Sequence, residues 1–328
     1  AKLPDGPSMF VYLDLKYPLG GPPFFFVTGL SAGFGYNRSL IVPPIEQLAE
    51  FPFIKLAMAN RPAAPKPKPG AKAAKAQSVK DVQKSLNTVL GSVAAAIPPE
   101  IGQQWFAAGV HFTSFEIVDG FVLMSMSFGH RFELHIMGKA SFSYPPQPAG
   151  STSTPMTRVD VLVDASYLAE EGTVEMHAMI ADGSFVFEEA CHLTGGLAFK
   201  TWTKGPHKDE FVFTLGGYHP KFKIPGDYPT VARLGFNWQK GGSLTIKGNM
   251  YFAMTGHAMM AGGHLEATYE SGALKAWLKI SADFLIEYKP SHYDAEMSVD
   301  VGAQVTIHFF GTHHLSVNLG ADLHIWGP

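Results

Sequence analysis

The clearest order in the chain is an alternation of apolar and polar residues near its C-terminal end. Leu274, Ala276, Leu278, Ile280, Ala282, Phe284 and Ile286 alternate with Lys275, Trp277, Lys279, Ser281, Asp283 and Leu285. Tyr293, Ala295, Met297, Val299, Val301, Ala303, Val305 and Ile307 alternate with His292, Asp294, Glu296, Ser298, Asp300, Gly302, Gln304 and Thr306. Leu315, Val317, Leu319, Ala321, Leu323 and Ile325 then alternate with His314, Ser316, Asn318, Gly320, Asp322 and His324. A period of two sends the two sets to opposite faces of a β-strand. The pattern predicts consecutive strands over 273–287, 292–308 and 313–326. The links Lys289-Pro290-Ser291 and Gly311-Thr312 leave room only for antiparallel hairpins. Such strands would span roughly 40 to 50 Å each, against about five or six residues in an ordinary strand.

Further strands are predicted over 8–17 and 24–36, which are aromatic and β-branched between Gly and Pro. Others follow around 131–144, 157–166, 173–187, 190–201, 210–216 and 230–238. VHFTSFEIV, Asp119-Gly120 and FVLMSMSF together read as a hairpin turning at Asp-Gly. Prolines recur from Pro43 to Pro69, and Arg61 to Ala76 is a Pro/Ala/Lys tract too poor in apolar residues to pack. Ser78 and Asp81 resemble a capping box, and Val79, Val82, Leu86, Val89, Leu90 and Val93 recur at helical spacing before Pro98-Pro99. The expected fold is mainly β: a long-stranded antiparallel meander, as a sandwich or an open or curved sheet, with one helix near 79–95. Its parts are an N-terminal β unit over 1–60, a linker or loop over 61–77, a helical segment over 78–106 and a long-stranded β domain over 107–328. The last is expected to share a core with 1–60.

Composition supports this reading. Of 328 residues, 46% are hydrophobic and only 16% charged, with 34 Gly and 24 Pro, a mixture that suits strands and turns. A net charge of -3 provides no attraction to nucleic acid or an anionic membrane. No stretch reaches the roughly 18 to 20 apolar residues of a transmembrane helix. The single cysteine, Cys191, excludes an internal disulfide and any CxxC site and reads as a buried thiol. The first residue is Ala and the last strand stops abruptly at Trp326-Gly327-Pro328, so the chain is expected to be a piece of a longer polypeptide.

Chemistry is sparse. Gly29, Gly33 and Gly35 lack the spacing of a phosphate loop and read as bulges or close sheet packing. The histidines of the last strands lie near Asp294, Glu296, Asp300 and Asp322, yet no nucleophile or H-E-x-x-H signature accompanies them. His314 and His324, ten positions apart on one straight strand, would stand roughly 33 Å apart and cannot share a metal. No metal, cofactor or catalytic residue is assigned. Tyr218, His219 and Lys221, in a turn-rich aromatic and basic loop, are candidate ligand contacts with Trp277, His292 and His314 of the polar face. The long apolar face is expected to lie under a second sheet or the 79–95 helix; failing that, it would take an apolar ligand or a partner subunit. A membrane barrel would want aromatic girdles at the strand ends, which these strands lack.

GVHFTSF (109–115), FGHRFEL (128–134), CHLTGG (191–196), FTLGGYHPKFKIP (213–225), RLGFNW (233–238), MYFAMT (250–255), the 274–295 segment and FGTHHLSVNLGADLHIWGP (310–328) resemble an uncharacterised bacterial and fungal family, domain of unknown function 6603. GLSAGFGYNR (29–38) is an upstream block of the same likeness. The resemblance implies no activity. The functional expectation is a non-enzymatic β-rich binding or scaffold module holding an apolar, lipid-like ligand or a partner subunit. The alternative is a hydrolase using His, Asp and Glu of the polar face.

Overall fold

The computed structural model describes residues 6–59, 91, 93–146, 154–308 and 312–328. The strands are β1 (Met9–Leu15), β2 (Phe26–Arg38), β3 (Pro99–Ser114), β4 (Val118–Phe128), β5 (Glu133–Tyr144), β6 (Thr157–Leu168), β7 (Thr173–Ile180) and β8 (Cys191–Thr194). After them come β9 (Gly196–Trp202), β10 (Phe211–Leu215), β11 (Leu234–Lys240), β12 (Leu244–Thr255), β13 (Ala258–Ser271), β14 (Leu274–Tyr288), β15 (Ser291–His308) and β16 (Thr312–Gly327). They form a mainly β fold, a 16-stranded antiparallel sheet that does not close into a barrel. Most strands pair with their sequence neighbours; β8 and β11 lie off the main path, β11 pairing with both β8 and β12.

The chain forms two compact units, residues 1–155 with 161–171 and residues 156–160 with 172–328, a division that falls inside the 107–328 stretch. In the first unit, a 3-10 turn (Ile45–Glu50) and the helix α1 (Pro52–Ala59) supply Leu48, Phe53 and Ile54 to a core with Trp105, Phe121, Leu123 and Met137. The Trp105 indole lies where a Cβ on Gly33 or Gly35 would be, so those glycines serve close sheet packing. In the second unit, the loop between β10 and β11 covers one face of β10, β12, β13 and β14. There Tyr218 and Tyr228 join Trp202, Val212, Tyr251, Met260 and Leu285 in a buried cluster.

Several expectations change. The proline-rich stretch after Pro43 contains α1, because Pro52 occupies the first helical position, where its missing N–H costs nothing. The 79–95 helix lies largely outside the described residues; residues 91 and 93–96 are helical, and β3 begins at Pro99, within the segment expected to be helical to 106. Asp119-Gly120 is not the hairpin turn but part of β4. The chain reverses at Phe115 and Glu116, which take φ of 49° and 60°, and Ile117 N–H donates to Ser114 O at 3.1 Å. β12 and β13 are two long strands with no predicted counterpart, and the run over 190–201 divides into β8 and β9.

The apolar face of the C-terminal strands bears most on function. β14, β15 and β16 pair antiparallel in the predicted order, and the register aligns apolar rows such as Ala267–Leu278–Val301–Leu319 and Gly263–Ala282–Met297–Leu323. Among the described residues no segment covers that face, and most of the 79–95 helix expected over it lies outside them. Met297 is 52% exposed, Val301 41%, Leu319 71% and Leu323 55%, and Val299 is only half-buried. The core of this unit sits on the opposite side, where the β10–β11 loop folds over Met260 and Leu285 at one end of the strands. Alternation assigns residues to faces, but a face is buried only where another segment reaches it.

Candidate functional site

The β10–β11 loop carries three of the candidate residues and is pinned at both ends. Gly216 and Gly217 take φ of 74° and 88°, and a Cβ on Gly216 would collide with the Met250 carbonyl, so only glycine turns here. Thr214 Oγ1 donates to Gly217 O at 2.7 Å, and the Tyr218 hydroxyl donates to Pro229 O at 2.7 Å. Arg233 donates to Gly216 O at 3.1 Å and Tyr218 O at 2.7 Å while its guanidinium lies 4.0 Å from the Tyr251 ring centre. Tyr218 is thus a structural anchor, and burial pushes its phenol well above the ordinary range.

The anchored loop delivers Lys221 to the polar face of β15 and β16. Its ammonium donates to both Asp294 oxygens at 3.0 and 3.2 Å and to Glu296 Oε1. His324, directly opposite Glu296 in the register, places Nε2 3.1 Å from Asp294 Oδ2 and 3.3 Å from Glu296 Oε1. The bonds to Glu296 and then Asp294 raise the Lys221 pKa. Burial alone would raise that of Asp294, but hydrogen bonds from Lys221 and His324 together outweigh it and hold the carboxyl below its usual range.

Behind this group His219 is 2% exposed; its Nδ1 accepts from the Lys221 backbone N–H at 3.1 Å, and its Nε2 has no partner among the described residues. Burial lowers its pKa, although the nearby carboxylates of Asp283 and Asp294 act in the opposite sense, so the imidazole is neutral at neutral pH. Tyr251 donates to Asp283 Oδ1 at 2.7 Å, and burial, followed by that bond, raises its pKa far above the ordinary value.

One ligand atom each from Asp294, Glu296 and His324 lie within 4.8 Å of one another, a donor set of hard oxygens and an imidazole suited to a divalent cation. Lys221 already bonds to both carboxylates, so a metal would have to displace its ammonium.

The other candidates lie elsewhere. Trp277 donates from Nε1 to Asp300 Oδ2 at 3.2 Å, its indole occupying the space a Cβ on Gly302 would need. It lines a recess of about 470 Å³ with Lys247, Glu266, Lys275, Lys279 and Gln304. His292 is opposite Glu287, and His314 contacts Gln304 and Thr306 near the other end of β16. Sequence spacing puts Asp294 and Glu296 on one face but does not mark them as a site, because only the strand register brings His324 between them. Cys191 is buried, and burial raises its thiol pKa.

No curated protein and no solved structure matches this chain. One family does, over residues 2–328 and therefore over the loop, the ionic group and the open apolar rows alike, so the chain belongs to the family of unknown function DUF6603.

Proposed function

We propose that this chain is a non-enzymatic β-rich binding module that holds an apolar, lipid-like ligand against the open face of β13 to β16. One observation carries the reading: four adjacent strands align apolar residues row by row, and Met297, Val301, Leu319 and Leu323 in those rows stand exposed among the described residues. Covering Met297, Val301, Leu319 and Leu323 to completion would regain roughly 3 to 7 kcal/mol, using about 1.5 to 3 kcal/mol for a fully buried side chain of this size. A flexible acyl chain lying along or across the rows meets this face without needing hydrogen bonds from it.

Native mass spectrometry of the purified protein, with lipid extraction, tests the proposal. A co-purifying acyl lipid, or saturable uptake of a fluorescent fatty acid, is the expected result. Absence of both would overturn it. The hydrolase reading draws on the Lys221–Asp294–Glu296–His324 group, whose charges are arranged around one point. It would require turnover of an ester or amide substrate that disappears in His324→Ala.

A further inference from the structure

The polar face of β12 to β15 carries a second feature, away from the β10–β11 loop. The register sets Thr245, Thr268, Trp277 and Gly302 side by side on the four strands. Trp277 is the one large side chain of that row. Its small neighbours leave room above the sheet, and the recess of about 470 Å³ lies there. Trp277 stands roughly 26 Å along β14 from Leu285, where the loop cluster packs.

The indole does not project straight from the sheet. It donates from Nε1 to Asp300 Oδ2 at 3.2 Å and fills the space a Cβ on Gly302 would take, so it lies across β15. One side of the ring rests on the glycine, and the other lines the recess. The charges around it cancel. In the neighbouring row Lys247 is opposite Glu266, and Lys279 is opposite both Glu266 and Asp300; on the other side of Trp277, Lys275 is opposite Glu270. Lys279 to Glu266 and Lys275 to Glu270 are both long pairs of 3.8 Å, so these groups keep hydrogen-bonding capacity for a ligand.

We propose that this recess binds a neutral saccharide, with one pyranose ring stacked on Trp277 and its hydroxyls bonded to the surrounding lysines and Glu266. The face of an aromatic ring is negative and attracts the weakly positive C–H hydrogens on the flat side of a sugar. Hydroxyl groups donate and accept, so they use ammonium donors and carboxylate acceptors together. A ligand charged with one sign would meet repulsion from half of these groups. Small-molecule sites of this size are lined mainly by apolar side chains, whereas every lining residue here except Trp277 is polar, which disfavours a lipid. The recess lies on the face opposite the apolar rows, so this inference and the lipid proposal can fail separately.

Isothermal titration calorimetry of the whole chain with neutral hexasaccharides of glucose, mannose, galactose and xylose, beside heparin and AMP, tests the proposal. At least one neutral hexasaccharide should bind saturably, with an affinity in the millimolar range or tighter. Trp277→Ala should weaken it by about tenfold or more, with circular dichroism unchanged. Gly302→Ala, which pushes the indole off β15 without removing it, and Glu266→Ala should each weaken it several-fold; these two decide the matter should Trp277→Ala not fold. Binding of no neutral hexasaccharide at millimolar concentration would overturn the inference. So would an affinity unchanged by these substitutions, or a preference for heparin or AMP, which would mark an anion or nucleotide site instead.

Discussion

Two substitutions to the same residue type, Leu285→Asp and Val301→Asp, separate the buried face of the C-terminal sheet from the open one. Leu285 in β14 is 3% exposed and packs in the cluster with Met260 and Tyr251, so a carboxylate there is buried without a partner. That costs several kcal/mol, a large part of the 5 to 15 kcal/mol that holds a typical domain together, in the scale of known values. Val301 in β15 is 41% exposed, and an aspartate there keeps its water. The stability loss should be limited to the part of the valine already buried, about 1 to 2 kcal/mol.

Ligand binding should show the reverse order of sensitivity. Covering the exposed 41% of Val301 with an acyl chain is worth about 0.6 to 1.2 kcal/mol, and Val301→Asp both forfeits it and sets a carboxylate against hydrocarbon. Fatty-acid affinity should therefore fall by about tenfold or more. Urea unfolding followed by circular dichroism, with fluorescent fatty-acid titration of each folded variant, measures both effects. Equal destabilisation by the two substitutions would show that the Val301 face is covered, and the argument from its exposure would collapse.

Three further outcomes are expected. Glu175, held to a pKa of about 2 from an ordinary 4.5 by the His177 imidazole 3.6 Å away and by Lys200 at 2.8 Å, stabilises the fold above its unfolded value. Up to about 3 kcal/mol should be lost as pH falls from about 4.5 towards about 2, and Glu175→Gln should flatten that limb in urea titrations across pH; an unchanged limb would refute the assignment. Glu116→Gly, at a φ of 60°, should raise stability by about 1 kcal/mol by relieving a left-handed conformation, and a lower thermal midpoint would contradict this. Because Lys221 bonds to both carboxylates of the Asp294–Glu296–His324 group, elemental analysis should find no stoichiometric transition metal in the purified protein, and one equivalent per chain would reverse that conclusion.

The strands from 273 onward were legible in the sequence because period-two alternation is a local property, carried by neighbouring residues whatever lies above them. Their antiparallel order followed from links too short for anything but hairpins. The turn at Phe115 and Glu116 was not legible, since neither residue type favours positive φ and the adjacent Asp119-Gly120 offered a better local signal. The loop of Tyr218, His219 and Lys221 was chosen for its composition, but its meeting with Asp294 joins residues 73 apart, and His324 enters only through the β15–β16 register. Local pattern thus determined which residues share a face. Tertiary structure alone decided which face became core, because burial depends on where a remote segment, here the β10–β11 loop, comes to rest.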